Sequence, residues 1–536
     1  MAFSFLPRAV RAAAAVAAAS VALTACAAEA SPGSALVGAR TTESGFVGRQ
    51  ADSAGDPVKG GTLTFGAYAP IASLDPLKTQ MAGATGGTEM AAVYDVLVKY
   101  NAQTRQFEPQ LAKAVEAAPD QLSWTISLRD GVTFSDGSPL DSRAVKWSID
   151  RFVAGKGAGA ELWNDTVDEI ALPDAATAVV KLNKPWSDFE SMLSAGFGLI
   201  VAPSSQSGDS FSPIGAGPFA VERFAPREEL VLKARQGYWG GSPHLDKVRF
   251  VSLGGDQATM ESLQSNGIQM AFLRSPEVVA QARKAELPGF IETQDLGAIA
   301  VINNRPGRPG SDVRIRRAMA HAISPDVIDD RANNGTGLPG SDMFQPFSQW
   351  HTEVSGLLTD SEKAKSLLAE AKADGYDGRL SFLSLQEPTA QRRAIAVQAM
   401  LQAVGFTVTI DYVNSATDQT KRVLVDHDFD VAGSSLSVND AVPFQRLDSL
   451  LRSGSFLNSP GYSNPEMDSL LGQLQSAPSS EEKRSIFARM QQLVNDTVPF
   501  LTWAAQAVFV PWSASVHGAV PTIDSVMLFD KAWIAP

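Results

Sequence analysis

The chain contains few residues whose types and spacing could support catalysis or metal binding. Its only cysteine is Cys26, and its five histidines are scattered singly along 536 residues: His244, His321, His351, His427 and His517. No two of these histidines have the short spacing typical of a metal site. The sequence also lacks a phosphate-binding P-loop, a dinucleotide-binding glycine motif and a G-x-S-x-G nucleophile motif. We therefore predict no catalytic residues, no metal site and no cofactor. The missing motifs do not exclude a serine hydrolase, because catalytic triads are defined by geometry rather than by a sequence motif.

Residues 1–25 have the pattern of a secretory signal. Arg8 and Arg11 form a positive segment, and the alanine-rich apolar run after them, as far as Leu23, is too short to span a membrane. The next residues, Leu-Thr-Ala-Cys, resemble a lipobox, in which the cysteine thiol is acylated after cleavage. Because a single cysteine in a secreted chain cannot form an internal disulfide, lipid attachment gives Cys26 a role. The alternative is a leader cysteine that is discarded with the signal.

The segment between the signal and the body of the chain has the composition of a linker. Residues 26–58 are mainly small and polar, so they cannot bury enough apolar surface to order themselves. We predict a lipidated flexible tether that spans roughly 30 Å. The formal net charge of the whole chain is −13, which argues against binding to nucleic acid and to anionic lipids.

Strand and helix patterns alternate along the body of the chain, which predicts an α/β fold. Alternating apolar and polar residues predict strands at 61–67, 124–129, 178–182 and 247–253. An apolar face predicts a helix over 88–97, and Asp141 is placed to cap another helix.

A strand–helix–strand unit is the clearest pattern in the second half. A strand at 380–385 is followed by a helix from about 389 to 404, and residues 406–412 again alternate. Gly405 is placed to end the helix. We assign the apolar side of this helix to Ile395, Ala399, Met400 and Ala403. A unit of this size joins two parallel strands by a crossover.

A series of short motifs runs in one order through most of residues 59–536. They are Gly60–Leu63, Ser73–Pro76, Tyr94–Leu97, Phe107–Ala112, Trp124–Pro139, Pro213–Phe219, Tyr238–Val248 and Ser311–Ala318. The segment Trp124–Pro139 is the most specific of them. Together they resemble the extracytoplasmic solute-binding proteins of ABC importers, in the family that includes oligopeptide- and dipeptide-binding proteins.

The resemblance implies a two-lobed periplasmic-binding-protein-like α/β fold with an additional α/β domain. The implied divisions are a first lobe at 59–95, 200–295 and 500–536, an additional domain at 96–199 and a second lobe at 296–499. The chain should cross between the lobes near 302–304 and 498–500. The implied function is capture of a small peptide or other small solute by a monomer for the transmembrane subunits of an ABC permease. The protein would be held by its lipid at the extracytoplasmic face of a bacterial membrane.

The resemblance also implies ligand-binding residues. Peptide-binding members place an acid for the free amine of the ligand after a strand that begins with Phe-Asp. In the corresponding run, 429–443, Asn439 occupies the position of that acid and Asp440 is the next residue. Either Asp440 binds the amine or the ammonium site is absent. The loop 80–85 matches a cleft-lining region of these proteins, so the resemblance implies that Gln80 and Thr85 bind the ligand. The predicted cargo is therefore a peptide, and the alternatives are an oligosaccharide, an opine-like compound or a metal complex.

Overall fold

The computed structural model describes residues 44–48 and 55–536. The predicted signal, Cys26 and most of the predicted tether lie outside the described residues. Three larger β-sheets with their helices make up the described body, and we call these units the first lobe, the additional domain and the second lobe. Among the described residues, no helix has the length and apolar character needed to cross a bilayer.

The first lobe is built on a five-stranded sheet. Its strands lie in the order Phe219–Ala225, Glu229–Ala234, Lys247–Val251, Thr62–Gly66 and Met270–Ala271. Its helices are Gly87–Tyr94, Asp256–Gln264 and Pro276–Lys284. The predicted first strand is observed, and even Thr64 within it is buried. This strand has parallel neighbours on both sides, a setting in which both faces are usually covered.

The additional domain contains a four-stranded antiparallel sheet. Its strands lie in the order Ala112–Ala117, Ser123–Leu128, Thr177–Leu182 and Val167–Asp174, and its helices are Ser142–Ala154, Ala160–Thr166 and Glu190–Leu193. A hairpin of Val98–Asn101 and Gln106–Pro109 precedes the sheet. Trp124 and Ile126 point inward as their alternation predicts. Asp141 caps its helix by accepting a hydrogen bond from the Ala144 amide at 2.9 Å.

The second lobe contains the largest sheet. Its strands lie in the order Leu338–Pro339, Phe500–Pro511, Gly289–Ile302, Val431–Ser434, Arg379–Leu385 and Thr407–Val413. Its helices are Val313–Ala322, Pro325–Asn333, Ser361–Ala373, Pro388–Ala403, Ala416–Thr420, Pro443–Leu451, Pro465–Ser476 and Ser480–Thr497. Short two-residue strand pairs close the C-terminal segment at Val516–His517 with Trp533–Ile534, and at Val520–Pro521 with Met527–Leu528.

The predicted strand–helix–strand unit is confirmed, but the predicted face of its helix is wrong. Arg379–Leu385 pairs in parallel with Thr407–Val413, and Gly405 has a φ of +105°. Ile395 is 56% exposed, whereas Val397 and Leu401 are buried against the sheet. The helix carries two apolar stripes. The branched side chains of Val397 and Leu401 fill the interface that Ala399 and Ala403 would leave underpacked.

Two long strands, Gly289–Ile302 and Phe500–Pro511, form the connection between the lobes, and we call them the crossing strands. Phe290 on the first of them packs into the core of the first lobe, whereas its end from Ile299 onward pairs with Val431–Ser434 of the second lobe. The pairing between the crossing strands shifts register between Gln294 and Ala298. The chain therefore passes from one lobe to the other within the crossing strands, rather than at 302–304 and 498–500.

A third strand joins the crossing strands inside the predicted tether. Gly45–Val47 pairs in antiparallel fashion with Gly289–Ile291. Phe46 meets Phe290 and Trp512 edge-on, at ring-centroid distances of 5.4 and 6.3 Å. The expectation of a structureless tether over 26–58 is thus corrected here, because one aromatic residue in a polar segment finds two aromatic partners on the first lobe.

The additional domain packs against the second lobe. Trp186 meets Phe444 edge-on at 5.4 Å, and Arg452 forms an ion pair with Asp165 at 2.9 Å. Buried apolar side chains from both units form one continuous cluster.

Candidate ligand-binding cleft

A cavity of about 1430 Å³ lies between the first and second lobes. Its first-lobe wall comes from loops that come directly after three parallel strands. Tyr68 follows Thr62–Gly66, Gly254 and Gly255 follow Lys247–Val251, and Arg274 follows Met270–Ala271.

The second-lobe wall is built in the same way. Leu385 ends the strand Arg379–Leu385, and the first turns of the next helix contribute Thr389 and Arg393. Leu436 lies just beyond Val431–Ser434. Open α/β sheets bind ligands in the crevice outside the carboxyl ends of their parallel strands. The cavity occupies this position for both lobes at once.

Hydrogen bonds connect the lobes across the cleft. The Asn334 side chain donates to Glu277 Oε1 at 2.6 Å. Asp524, in the C-terminal segment packed on the first lobe, accepts from Asn439 Nδ2 at 2.7 Å and from Arg446 Nη2 at 2.9 Å. These contacts bridge the first and second lobes in the arrangement that the structure shows.

The carboxyl group of Glu292 lies beside these contacts on a crossing strand. Glu292 Oε2 accepts from Ser525 Oγ and from Gln294 Nε2, both at 2.8 Å. Burial, followed by the negative charge of Asp524, raises the pKa of Glu292 to about 8. The raised pKa favours the neutral form of Glu292 beside the ion pair that Arg446 forms with Asp524.

Of the residues predicted to bind ligand, Gln80 lies on the cavity wall. Thr85 is exposed at the other end of the same loop, and its hydroxyl donates to the Gln80 carbonyl oxygen at 2.7 Å. Thr85 therefore shapes the loop that presents Gln80.

Asn439 and Asp440 do not line the cavity, and their side chains form hydrogen bonds with other residues of the protein. Asn439 is 2% exposed, and its Oδ1 accepts from the amides of Ala441 and Val442 while its Nδ2 reaches Asp524. The Asp440 carboxylate accepts from Ser348 Oγ at 2.6 Å and from the Gln349 amide at 3.1 Å. The carboxylate of Asp440 thus already has partners within the second lobe.

Sequence reasoning missed the three arginines of the cavity wall, Arg274, Arg393 and Arg446. The position of Arg274 just beyond the last parallel strand of the first lobe was a usable signal. Arg393 was hidden by the wrong choice of helix face, because the observed rotation is what brings it to the cleft.

The sequence and the fold match those of known transport proteins. The family model for "Bacterial extracellular solute-binding proteins, family 5 Middle" matches residues 106–458. The dipeptide-binding protein of Escherichia coli strain K12 is 24% identical over 479 residues, which cover 82% of this chain and 88% of that protein.

Solved structures show the same fold. The periplasmic binding protein DppA from Helicobacter pylori, in complex with the peptide STSA, has a TM-score of 0.76 at 22% identity and covers 89% of this chain and 99% of its own. AgaA from A. tumefaciens R10, in complex with agropinic acid, has a TM-score of 0.74 at 23% identity with the same coverage. The family model spans more than half of the chain. This chain therefore belongs to family 5 of the bacterial extracellular solute-binding proteins, a family of transport proteins rather than enzymes.

Proposed function

We propose that this chain is the lipid-anchored receptor of an ABC importer, which captures small peptides in the cleft and delivers them to the transmembrane subunits of the permease. The observation that carries the proposal is the cleft of about 1430 Å³ between the two lobes. Pockets for single small molecules are usually about 300–1,000 Å³, so this cavity has room for an extended ligand of several residues.

Lobe closure is the proposed mechanism. The crossing strands carry the register shift between Gln294 and Ala298, where a few residues can absorb a rotation. Contacts such as Asn334 with Glu277 form only on closure, and a ligand that touches both walls favours the closed state by its additional contacts. The permease would recognise the surface that the two closed lobes present together.

A second cargo class is favoured by one feature of the cleft. Asn439 occupies the position at which peptide-binding relatives are expected to carry the amine-binding acid, and Asp440 is bonded to Ser348 and Gln349. The relative AgaA is bound to agropinic acid, which shows that the fold accommodates a non-peptide ligand. An opine-like compound is therefore the alternative cargo.

Native mass spectrometry of the purified protein tests the cargo, because such receptors retain ligand through purification when affinity is high. We expect adducts with peptide masses. Small-angle scattering should then show a smaller radius of gyration with the identified ligand than without it. A non-peptide adduct would refute the peptide cargo in favour of the alternative cargo. An unchanged radius of gyration at ligand saturation would refute lobe closure.

The anchor and the domain divisions belong to the same proposal. Cys26→Ser should leave the protein unprocessed or in the soluble fraction, since two acyl chains give the stable attachment that one does not. A processed, membrane-bound Cys26→Ser protein would refute the anchor. The proposed divisions are a first lobe at 59–95, 200–295 and 500–536, an additional domain at 96–199 and a second lobe at 296–499.

A further inference from the structure

Two arginines reach the cavity from opposite lobes. Arg274 belongs to the first lobe, and Arg393 lies on the helix Pro388–Ala403 of the second. Among the described residues, neither arginine has an acidic side chain within ion-pair distance, and the Nε of Arg393 is inaccessible to solvent without a hydrogen-bond partner. The Nε–H of Arg393 is therefore a buried donor at the cavity wall that an acceptor on a ligand would satisfy.

Neutral side chains hold Arg274 in place. Its Nε and Nη2 donate to Gln506 Oε1 at 2.9 and 2.7 Å. Gln506 is itself fixed on a crossing strand, because its Nε2 donates to Gln294 Oε1 at 2.6 Å and to Ser437 Oγ at 2.9 Å. These bonds orient the guanidinium group of Arg274 without neutralising its charge.

The acidic side chains of the cavity wall either accept hydrogen bonds from other groups or are exposed to solvent. Asp256 Oδ2 accepts from the backbone amides of Arg274 and Ser275, and Glu277 accepts from Asn334. Glu387 is exposed at the start of the helix that carries Arg393. Burial, followed by the positive charge of Arg274, lowers the pKa of Arg393. The positive charge of Arg274 therefore acts unfavourably on that of Arg393.

We propose that Arg393, together with Arg274, binds a carboxylate of the ligand, and that this carboxylate draws the two lobes together. The inference rests on the proposed function, since it requires that the ligand bind in this cavity. A guanidinium group matches a carboxylate with two parallel hydrogen bonds. Because the two arginines come from different lobes, the anion contacts both only in the closed state, and it therefore stabilises that state over the open one.

The source of the carboxylate is a peptide C-terminus or a non-peptide acid, and binding measurements separate these sources. The protein is first freed of retained ligand by unfolding in guanidinium chloride and refolding. Titration calorimetry then uses a tetrapeptide library with free C-termini, the same library with amidated C-termini, and an N-carboxyalkyl amino acid. We expect the free-acid library to bind and the amidated library to bind at least about 30-fold more weakly.

Arg393→Met should reduce binding of the free-acid library by a similar factor, because it removes the charge and keeps most of the side-chain volume. Arg392→Met is the matched control. Arg392 is the neighbouring residue, carries the same charge and donates to the Ala332 carbonyl oxygen instead. Its replacement should change affinity less than about threefold.

A ligand-independent measurement accompanies the titrations. If Arg393 is an uncompensated ligand group, Arg393→Met should raise the melting temperature of the ligand-free protein, whereas Arg392→Met should leave it unchanged or lower it. Equal binding of both libraries by the parent and by Arg393→Met would overturn the inference and leave the proposed peptide function standing.

If neither library binds but the N-carboxyalkyl amino acid binds in a way that depends on Arg393, the peptide cargo is refuted and the inference is supported. If none of the three probes binds, the melting temperatures decide. A rise on Arg393→Met supports the inference, and an unchanged or lower value overturns it.

Discussion

Glu89 should contribute to the pH dependence of the protein's stability, and Glu89→Gln should remove that contribution. Glu89 lies in the first turn of the helix Gly87–Tyr94, is 2% exposed, and its Oε2 has no hydrogen-bond partner within the described residues. Burial raises the pKa of Glu89 from 4.5 to about 7, although a backbone hydrogen bond opposes the shift.

The direction of the effect follows from proton binding. The folded state holds the proton more tightly than the unfolded chain, so the free energy of unfolding should fall as pH rises from about 4.5 to about 7. A pKa raised from 4.5 to about 7 corresponds to about 3 kcal/mol, of which about 2–3 kcal/mol would be lost between pH 5 and pH 8.

Urea unfolding at pH 5 and pH 8 measures this loss. The neutral amide of Glu89→Gln keeps the shape of the side chain, so the variant should exceed the parent in stability by about 2–3 kcal/mol more at pH 8 than at pH 5. Glu362→Gln, an exposed first-turn acid of the helix Ser361–Ala373, serves as the control and should show no such difference. An equal advantage of Glu89→Gln at both pH values would refute the reasoning.

Three further predictions concern the cleft and the N-terminal strand. Asn439→Asp would bring a carboxylate against Asp524, so we expect a loss of about 2 kcal/mol at pH 7 in urea unfolding, restored by adding Asp524→Asn; an unaffected single variant would contradict this. Asp440→Asn should lower stability by about 1–2 kcal/mol while peptide affinity in titration calorimetry changes less than threefold, and a 30-fold loss of affinity would restore Asp440 as the amine partner. Phe46→Ser should detach Gly45–Val47, which faster amide exchange at Gly289–Ile291 would reveal and unchanged exchange would exclude.

Local patterns predicted the fold class well because their motifs encode packing. The Tyr238–Val248 motif is one example, since Tyr238 and Trp239 both donate to the buried Asp95 Oδ2, at 2.8 and 3.0 Å. Gly215 and Gly217 of the Pro213–Phe219 motif are another, although neither has a positive φ. A Cβ at either position would collide with the backbone of the helix Gly87–Tyr94, so close approach between segments requires glycine there.

The cleft was harder to predict because its residues meet through the tertiary structure. Arg274 and Arg393 lie far apart in the chain, and their placement depends on the rotation of one helix and on the orientation of two lobes. Hydrophobic periodicity gave two acceptable stripes for that helix, and only packing against the sheet chooses between them. The docking of Phe46 likewise depends on two aromatic partners that no local pattern reveals.

The pairing of Asn439 with Asp524 shows why a single departure from a family pattern is a weak guide to cargo. An amide at 439 donates to the Asp524 carboxylate, which also holds Arg446 across the cleft. A carboxylate at 439 would instead repel Asp524, so the identity of residue 439 is tied to the contact between the lobes as much as to any ligand. If the ammonium site of peptide binders is absent here, the opposite end of the ligand must supply more of the orientation. The unpaired arginines at the cavity wall offer that orientation through a carboxylate, the group that peptides and opine-like acids share.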